Sequence, residues 1–175
     1  NFEDDVETGN QGWTAELPWA ITTEASASPI HSWTDSPGGD YGDDLDLSLT
    51  SPIFDLGGVT GVALEFSHIY DIESGYDYGH VETSTDGGAT WTSVASFTGT
   101  QTATWRRESV ELPDLDGSNQ ARFRFRLSTD SWVTADGWLV ADILGRGAGE
   151  GQWTMSLFAD GFESGDTTAW SLTVP

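Results

Sequence analysis

Arg122-Phe123-Arg124-Phe125-Arg126-Leu127 alternates charged and apolar residues without a break. In a strand successive side chains leave on opposite faces, so Phe123, Phe125 and Leu127 belong to a core and the three arginines to the other side. A strand covered on one face only is the pattern of an antiparallel sheet. The same period-two alternation, bounded by Gly, Pro, Asp and Ser, recurs at 48–56, 62–72, 80–84, 91–97, 105–112, 121–127 and 138–144. No window carries a sustained helical stripe, so the chain is expected to be all-β. Thr85-Asp86-Gly87-Gly88-Ala89-Thr90 supplies the residues that tolerate positive φ in a tight hairpin, and so joins two antiparallel neighbours.

A length of 175 residues fits one domain. The 29 acidic residues face only 6 basic ones, a net charge of -23 that repels phosphate backbones and anionic lipid, so nucleic acid is excluded as a partner. No apolar run approaches the roughly 20 residues of a membrane span, so no membrane insertion is expected. All the basic residues are arginines, and the row at 122, 124 and 126 is placed to pair with nearby acids. So large a like-charge excess opposes compaction unless cations bind between carboxylates, and calcium is the natural candidate. The chain has no cysteine, which rules out disulfides and cysteine-ligated zinc. Asn1-Phe2-Glu3-Asp4 reads as a mature end left by signal cleavage or as a trimmed one. With 9 tryptophans and 21 glycines the composition suits an exported β protein, secreted or at the cell surface.

Gly145-Arg146-Gly147-Ala148-Gly149-Glu150-Gly151 reads as a flexible stretch. The expected organisation is therefore a sandwich over 1–146, a glycine-rich linker over 147–155 and a C-terminal tail over 156–175. The tail carries Phe158, Phe162, Trp170 and Leu172, too apolar for a purely disordered end. Phe162-Glu163-Ser164-Gly165-Asp166 with Trp170-Ser171 echoes Phe2-Glu3 and Gly9-Asn10 with Trp13-Thr14. Either the tail folds back on its own sandwich or serves as an export tag, or it adds as a strand to the next copy. The second reading gives a head-to-tail homopolymer, because donor and acceptor surfaces differ and the contact need not close.

Three further strings complete the pattern: Trp33-Thr34-Asp35-Ser36-Pro37-Gly38-Gly39-Asp40-Tyr41; Tyr70-Asp71-Ile72-Glu73-Ser74-Gly75-Tyr76-Asp77-Tyr78-Gly79, running into Val81-Glu82-Thr83-Ser84; and Asp136-Gly137-Trp138-Leu139-Val140-Ala141-Asp142-Ile143. With Phe2-Glu3 and Gly12-Trp13 they resemble the MAM-like jelly-roll domain attached to bacterial secreted peptidases of the immune-inhibitor-A type, over roughly residues 1 to 146. The resemblance implies an antiparallel jelly-roll β-sandwich that contains calcium, lacks catalytic residues and serves as an adhesive or partner-binding module. It further implies that Glu3, Asp35, Asp40 and Asp142 converge at one end of the sandwich as oxygen ligands; the alternative is that these acids are solvated and cap turns.

Asp71, Glu73 and Asp77 make a second acidic group on one bend, placed to hold another cation, to shape the turn or to pair with arginine. For ligand contact the candidates are Trp132, in Thr129-Asp130-Ser131-Trp132-Val133, then Tyr76 and Tyr78, whose aromatic faces suit a sugar ring. There is no His-Glu-x-x-His run and no Gly-x-Ser-x-Gly elbow, so no enzyme is expected. The leading functional expectation is a self-assembling extracellular subunit; the other is a monomeric glycan- or protein-binding module of a secreted hydrolase.

Overall fold

The computed structural model describes residues 1–155. Its strands are β1 (Phe2–Asp4), β2 (Thr14–Ala15), β3 (Ala20–Thr22), β4 (Ser32–Thr34), β5 (Asp46–Thr50), β6 (Phe54–Asp55), β7 (Val59–Ile72), β8 (Tyr78–Ser84), β9 (Thr92–Phe97), β10 (Gly99–Glu111), β11 (Arg122–Ser128), β12 (Gly137–Gly149) and β13 (Thr154–Met155). A short 3-10 turn at Pro113–Leu115 follows β10. All pairings are antiparallel. One sheet runs β10-β7-β12-β4-β3, with β1 also on β12; the other runs β2-β5-β11-β8-β9; β13 pairs β6 apart from both. The two large sheets stack as an antiparallel β-sandwich of the jelly-roll kind.

The alternation in β11 does what its pattern requires. Phe123, Phe125 and Leu127 are fully buried while the arginines are only partly covered. Phe125 meets Phe66 of β7 edge to face at 5.1 Å and Trp138 of β12 at 5.4 Å, which locks the two sheets together. Trp138 fits because Gly79 of β8 offers no side chain: a Cβ there would lie 2.6 Å from the indole.

Of the glycine-rich segment expected to be a linker, Gly147 to Gly149 instead continue β12, and Thr154 and Met155 pair with β6. β12 continues through Gly145 and Gly147 to Gly149, pairing with Thr60 and Val59 of β7. Trp153 then folds back against Phe54 at 5.1 Å and Phe2 at 6.2 Å. A Cβ on Gly145 would stand 2.6 Å from the Trp153 ring. The glycines are there for close approach and not for freedom, and composition does not separate the two causes. Phe158, Phe162, Trp170 and Leu172, on which strand donation would depend, lie outside the described residues.

Candidate functional site

The four acids expected to share a cation fall into two places. Glu3 and Asp142 line one cleft of about 360 Å³, together with Asp4, Asp5, Ser28, Arg107 and Leu144. Asp142 reaches it because β12 bulges between Ala141 and Leu144, with Asp142 itself at φ 49°. Its carboxylate accepts hydrogen bonds from the Ser28 hydroxyl and, at 3.4 Å, from that of Ser67. Asp35 sits elsewhere. It is buried beside Trp138, whose backbone N–H donates to the carboxyl at 3.2 and 3.3 Å. Trp138 precedes Asp142 by four strand residues, about 13 Å at the usual rise. Asp40 is exposed on Asp35's side, where its charge bears on Asp136. Glu3 and Asp142 thus share one cleft, with Arg107 in its wall, and Asp35 and Asp40 are not part of it.

Asp35 has an environment of its own. Burial pushes its pKa up to about 7, against the lowering effect of hydrogen bonds from Ser36 and Trp138. The Ser36 hydroxyl lies 2.7 Å from Asp35 Oδ1 and 2.6 Å from the Asp136 carbonyl. One hydroxyl proton serves only one of these at a time, so Ser36 divides its donation between the Asp35 carboxyl and the Asp136 carbonyl. On its other edge Trp138 donates its indole N–H to His68 Nδ1 at 3.2 Å. His68 is fully buried, and desolvation first, then the Arg106 charge, pushes its pKa down to about 4.

A third cluster lies where three loops meet at the end of the sandwich. Asp77 just precedes β8 and Asp130 lies two residues beyond β11, and the pairing of Tyr78 with Ser128 sets them side by side. The Asp130 backbone N–H donates to Asp77 Oδ1 at 2.7 Å. In the 73–77 turn the Glu73 carbonyl accepts from the Asp77 N–H and from Thr98 Oγ1, Gly75 takes φ 82°, and its N–H also donates to Thr98. The Tyr41 hydroxyl accepts from the Glu73 N–H at 2.9 Å. Thr129 anchors the other loop, donating its hydroxyl to the Gly42 carbonyl and accepting from the Leu45 N–H.

This framework brings carboxylate oxygens of Glu73, Asp77 and Asp130 within 4.8 Å of one another. Burial, then the charges of Asp130 and Asp77, raise the Glu73 pKa. Asp71 does not join them: it accepts from Thr100 Oγ1 at 2.5 Å across the β7–β10 pair. Asp130 takes its place, a residue the sequence shows no reason to group with Asp77 because 53 positions separate them.

Two of the expected contact aromatics flank the cluster. Tyr76, 67 % exposed, immediately precedes Asp77. Trp132 is 75 % exposed and its N–H donates to Asp130 Oδ1 at 2.8 Å. Val133, at φ 55°, is exposed beside it. Tyr78 has a structural task instead, donating its hydroxyl to the Gly75 carbonyl and stacking on His80 at 5.8 Å. Another cleft of about 350 Å³, walled by Glu24, Thr34, Gly38, Ile69, Asp136 and Leu139, carries no aromatic.

The Reelin subrepeat B family model matches residues 78–145. Bacillopeptidase F of Bacillus subtilis (strain 168) is 24 % identical over 153 residues, which are 82 % of this chain; the chain spans about a tenth of that curated relative. The K2 cleaved adhesin domain of Lys-gingipain superposes with a TM-score of 0.57 at 16 % identity, covering 88 % of this chain and 99 % of that one. TmCBM61, solved with β-1,4-galactotriose, gives 0.56 at 11 % identity over 82 % of this chain and 94 % of its own. At such identities the likeness shows a shared β-sandwich fold.

Proposed function

We propose that this chain is a non-catalytic binding module of an extracellular bacterial protein, and that it takes glycan on Tyr76 and Trp132. The observation that carries the reading is the pair of large aromatics left exposed on loops that a dense hydrogen-bond net holds in place. An aromatic face packs well against the C–H face of a sugar ring, and a fixed one loses little entropy in doing so. The sandwich fold shared with an adhesin domain and with a galactotriose-bound domain supports a binding role over a filament of donated strands. The partial match to a far longer peptidase supports an ancillary place within a larger extracellular chain. Calcium at Glu3 and Asp142 belongs to this reading as a brace between the N-terminal strand and the β12 bulge.

Affinity electrophoresis in gels containing galactan, xylan or cellulose, followed by titration calorimetry with the matching oligosaccharide, tests the proposal. Retardation by one polysaccharide that falls at least tenfold in W132A, with the circular dichroism spectrum unchanged, supports it. Equal retardation of wild type and of the Y76A/W132A variant sinks it.

A further inference from the structure

We propose that Glu73, Asp77 and Asp130 form a calcium site that clasps the 73–77 turn to the loop after β11. This goes beyond the sugar reading and does not depend on it. Clustered acids alone would carry little, since exposed carboxylates often gather without an ion. Here one of the three is fully buried: Asp77 has no exposed surface, and while its Oδ1 accepts the Asp130 N–H, its Oδ2 has no hydrogen-bond partner in strict geometry among the described residues. Tyr41 lies close enough to Asp77 that, after burial, a side-chain hydrogen bond to Asp77 and the Asp77 charge help raise its pKa, yet Oδ2 stays outside strict hydrogen-bond geometry. Glu73 Oε2 is likewise shielded from solvent and unpartnered among the described residues.

A buried carboxylate oxygen without a donor is costly, and two of them on carboxyls crowded against a third are costlier still. No arginine relieves them: the ion pairs among the described residues engage Glu7, Glu65, Glu82, Asp46 and Glu108, and none of these three. One cation answers the desolvation, the missing donors and the mutual repulsion together. The donors are all oxygen, which selects a hard ion over zinc, and they come from two loops, which suits the larger and irregular coordination shell of calcium over the strict octahedron of magnesium. Water completes the shell on the half-exposed Glu73 and Asp130 side.

Calcium titrated into the EDTA-stripped, desalted 175-residue chain, followed by calorimetry, is compared among wild type, E73Q/D130N and E3Q/D142N. The site predicts that E73Q/D130N loses one equivalent of bound calcium, or binds it at least tenfold more weakly, and that E3Q/D142N keeps that equivalent. Terbium added to wild type should show emission sensitised by Trp132 and Tyr76, absent in E73Q/D130N. Glu73 and Asp130 are both half-exposed, and E73Q alone stands in if the double variant fails to fold; a tenfold weakening is again expected. Equal stoichiometry and affinity in wild type and in the folded Glu73 variants overturns the site, and so does calcium displaced by equimolar magnesium.

Discussion

The outer face of the β5-β11-β8 sheet and the loop end of the same sandwich treat negative charge in opposite ways. On the face, Arg124 grips Glu82 with two nitrogens at 2.6 Å, and Arg126 holds Asp46 at 2.6 and 2.8 Å while reaching Glu82 at 3.3 Å. At the loop end Asp35, Glu73, Asp77 and Asp130 are wholly or partly withdrawn from water with no base bonded to any of them. The face is a completed circuit that stabilises the sheet, whereas the end holds acids in an unrelieved state. A protein with so few bases spends half of them on a single strand, and what it leaves unpaired is where a ligand has something to gain.

The widest test of that contrast is pH. Burial lifts the Asp35 pKa to about 7 from the ordinary 3.8, so the native state binds the extra proton between those limits and stability rises as pH falls through 7 toward 4. His68 titrates near 4 against 6.5, so the unfolded state binds the extra proton and stability falls as pH drops from 6.5 toward 4. Trp138 bridges the two, and over most of the window their slopes oppose. D35N should strip away one side: relative to wild type it loses stability on acidification from pH 7 to 4, at up to about 1.4 kcal/mol per unit. H68Q should drift the other way. Urea unfolding at half-unit pH steps reads both, and parallel curves for D35N and wild type would mean that Asp35 is charged throughout.

Next in size comes the paired face. Glu82 is largely covered and faces two arginines that are about a quarter exposed. Removing one member of a fully buried pair costs 3–5 kcal/mol, and partial exposure with Asp46 retained on Arg126 reduces this to roughly 2 kcal/mol for E82A. The loss should change little between low and moderate salt. A loss below about 0.5 kcal/mol, or one erased by salt, would put the face in the class of screened surface pairs.

How far the sequence discloses this contrast follows from the range of each interaction. The arginine row and its buried partners are written in consecutive residues, so β11 and its one-sided burial are legible directly. Strands β1 to β4 span two or three residues each, too short for a period to register, and exist because longer neighbours offer an edge. The glycines after Ile143 look like freedom but record close packing against Trp153 and β7. Asp35 and Asp142 share a resemblance pattern but are set apart by the length of β12, and Asp130 meets Asp77 only through the β8–β11 register. Exposed Tyr76 and Trp132 were legible because their loops are short, polar and local.

The smallest effect separates the two regions most cleanly, since it sets one tryptophan against another. Trp91 lies under Arg124 on the paired face, with the guanidinium carbon 4.3 Å from the ring centroid. That contact, partly shielded and continuous with the Glu82 pair, should cost about 0.5–1 kcal/mol in W91A. Trp132 stands largely clear of the sandwich: its side chain is three-quarters exposed, and its hydrogen bond among the described residues is from the backbone N–H to Asp130, which survives truncation to alanine. W132A should therefore leave the urea midpoint within about 0.5 kcal/mol of wild type. An aromatic kept in water without a stabilising task is difficult to explain by folding alone, so an unchanged midpoint with lost ligand retention would place Trp132 in binding. A destabilisation of W132A equal to that of W91A would show instead that the loop end, like the face, is built for the fold.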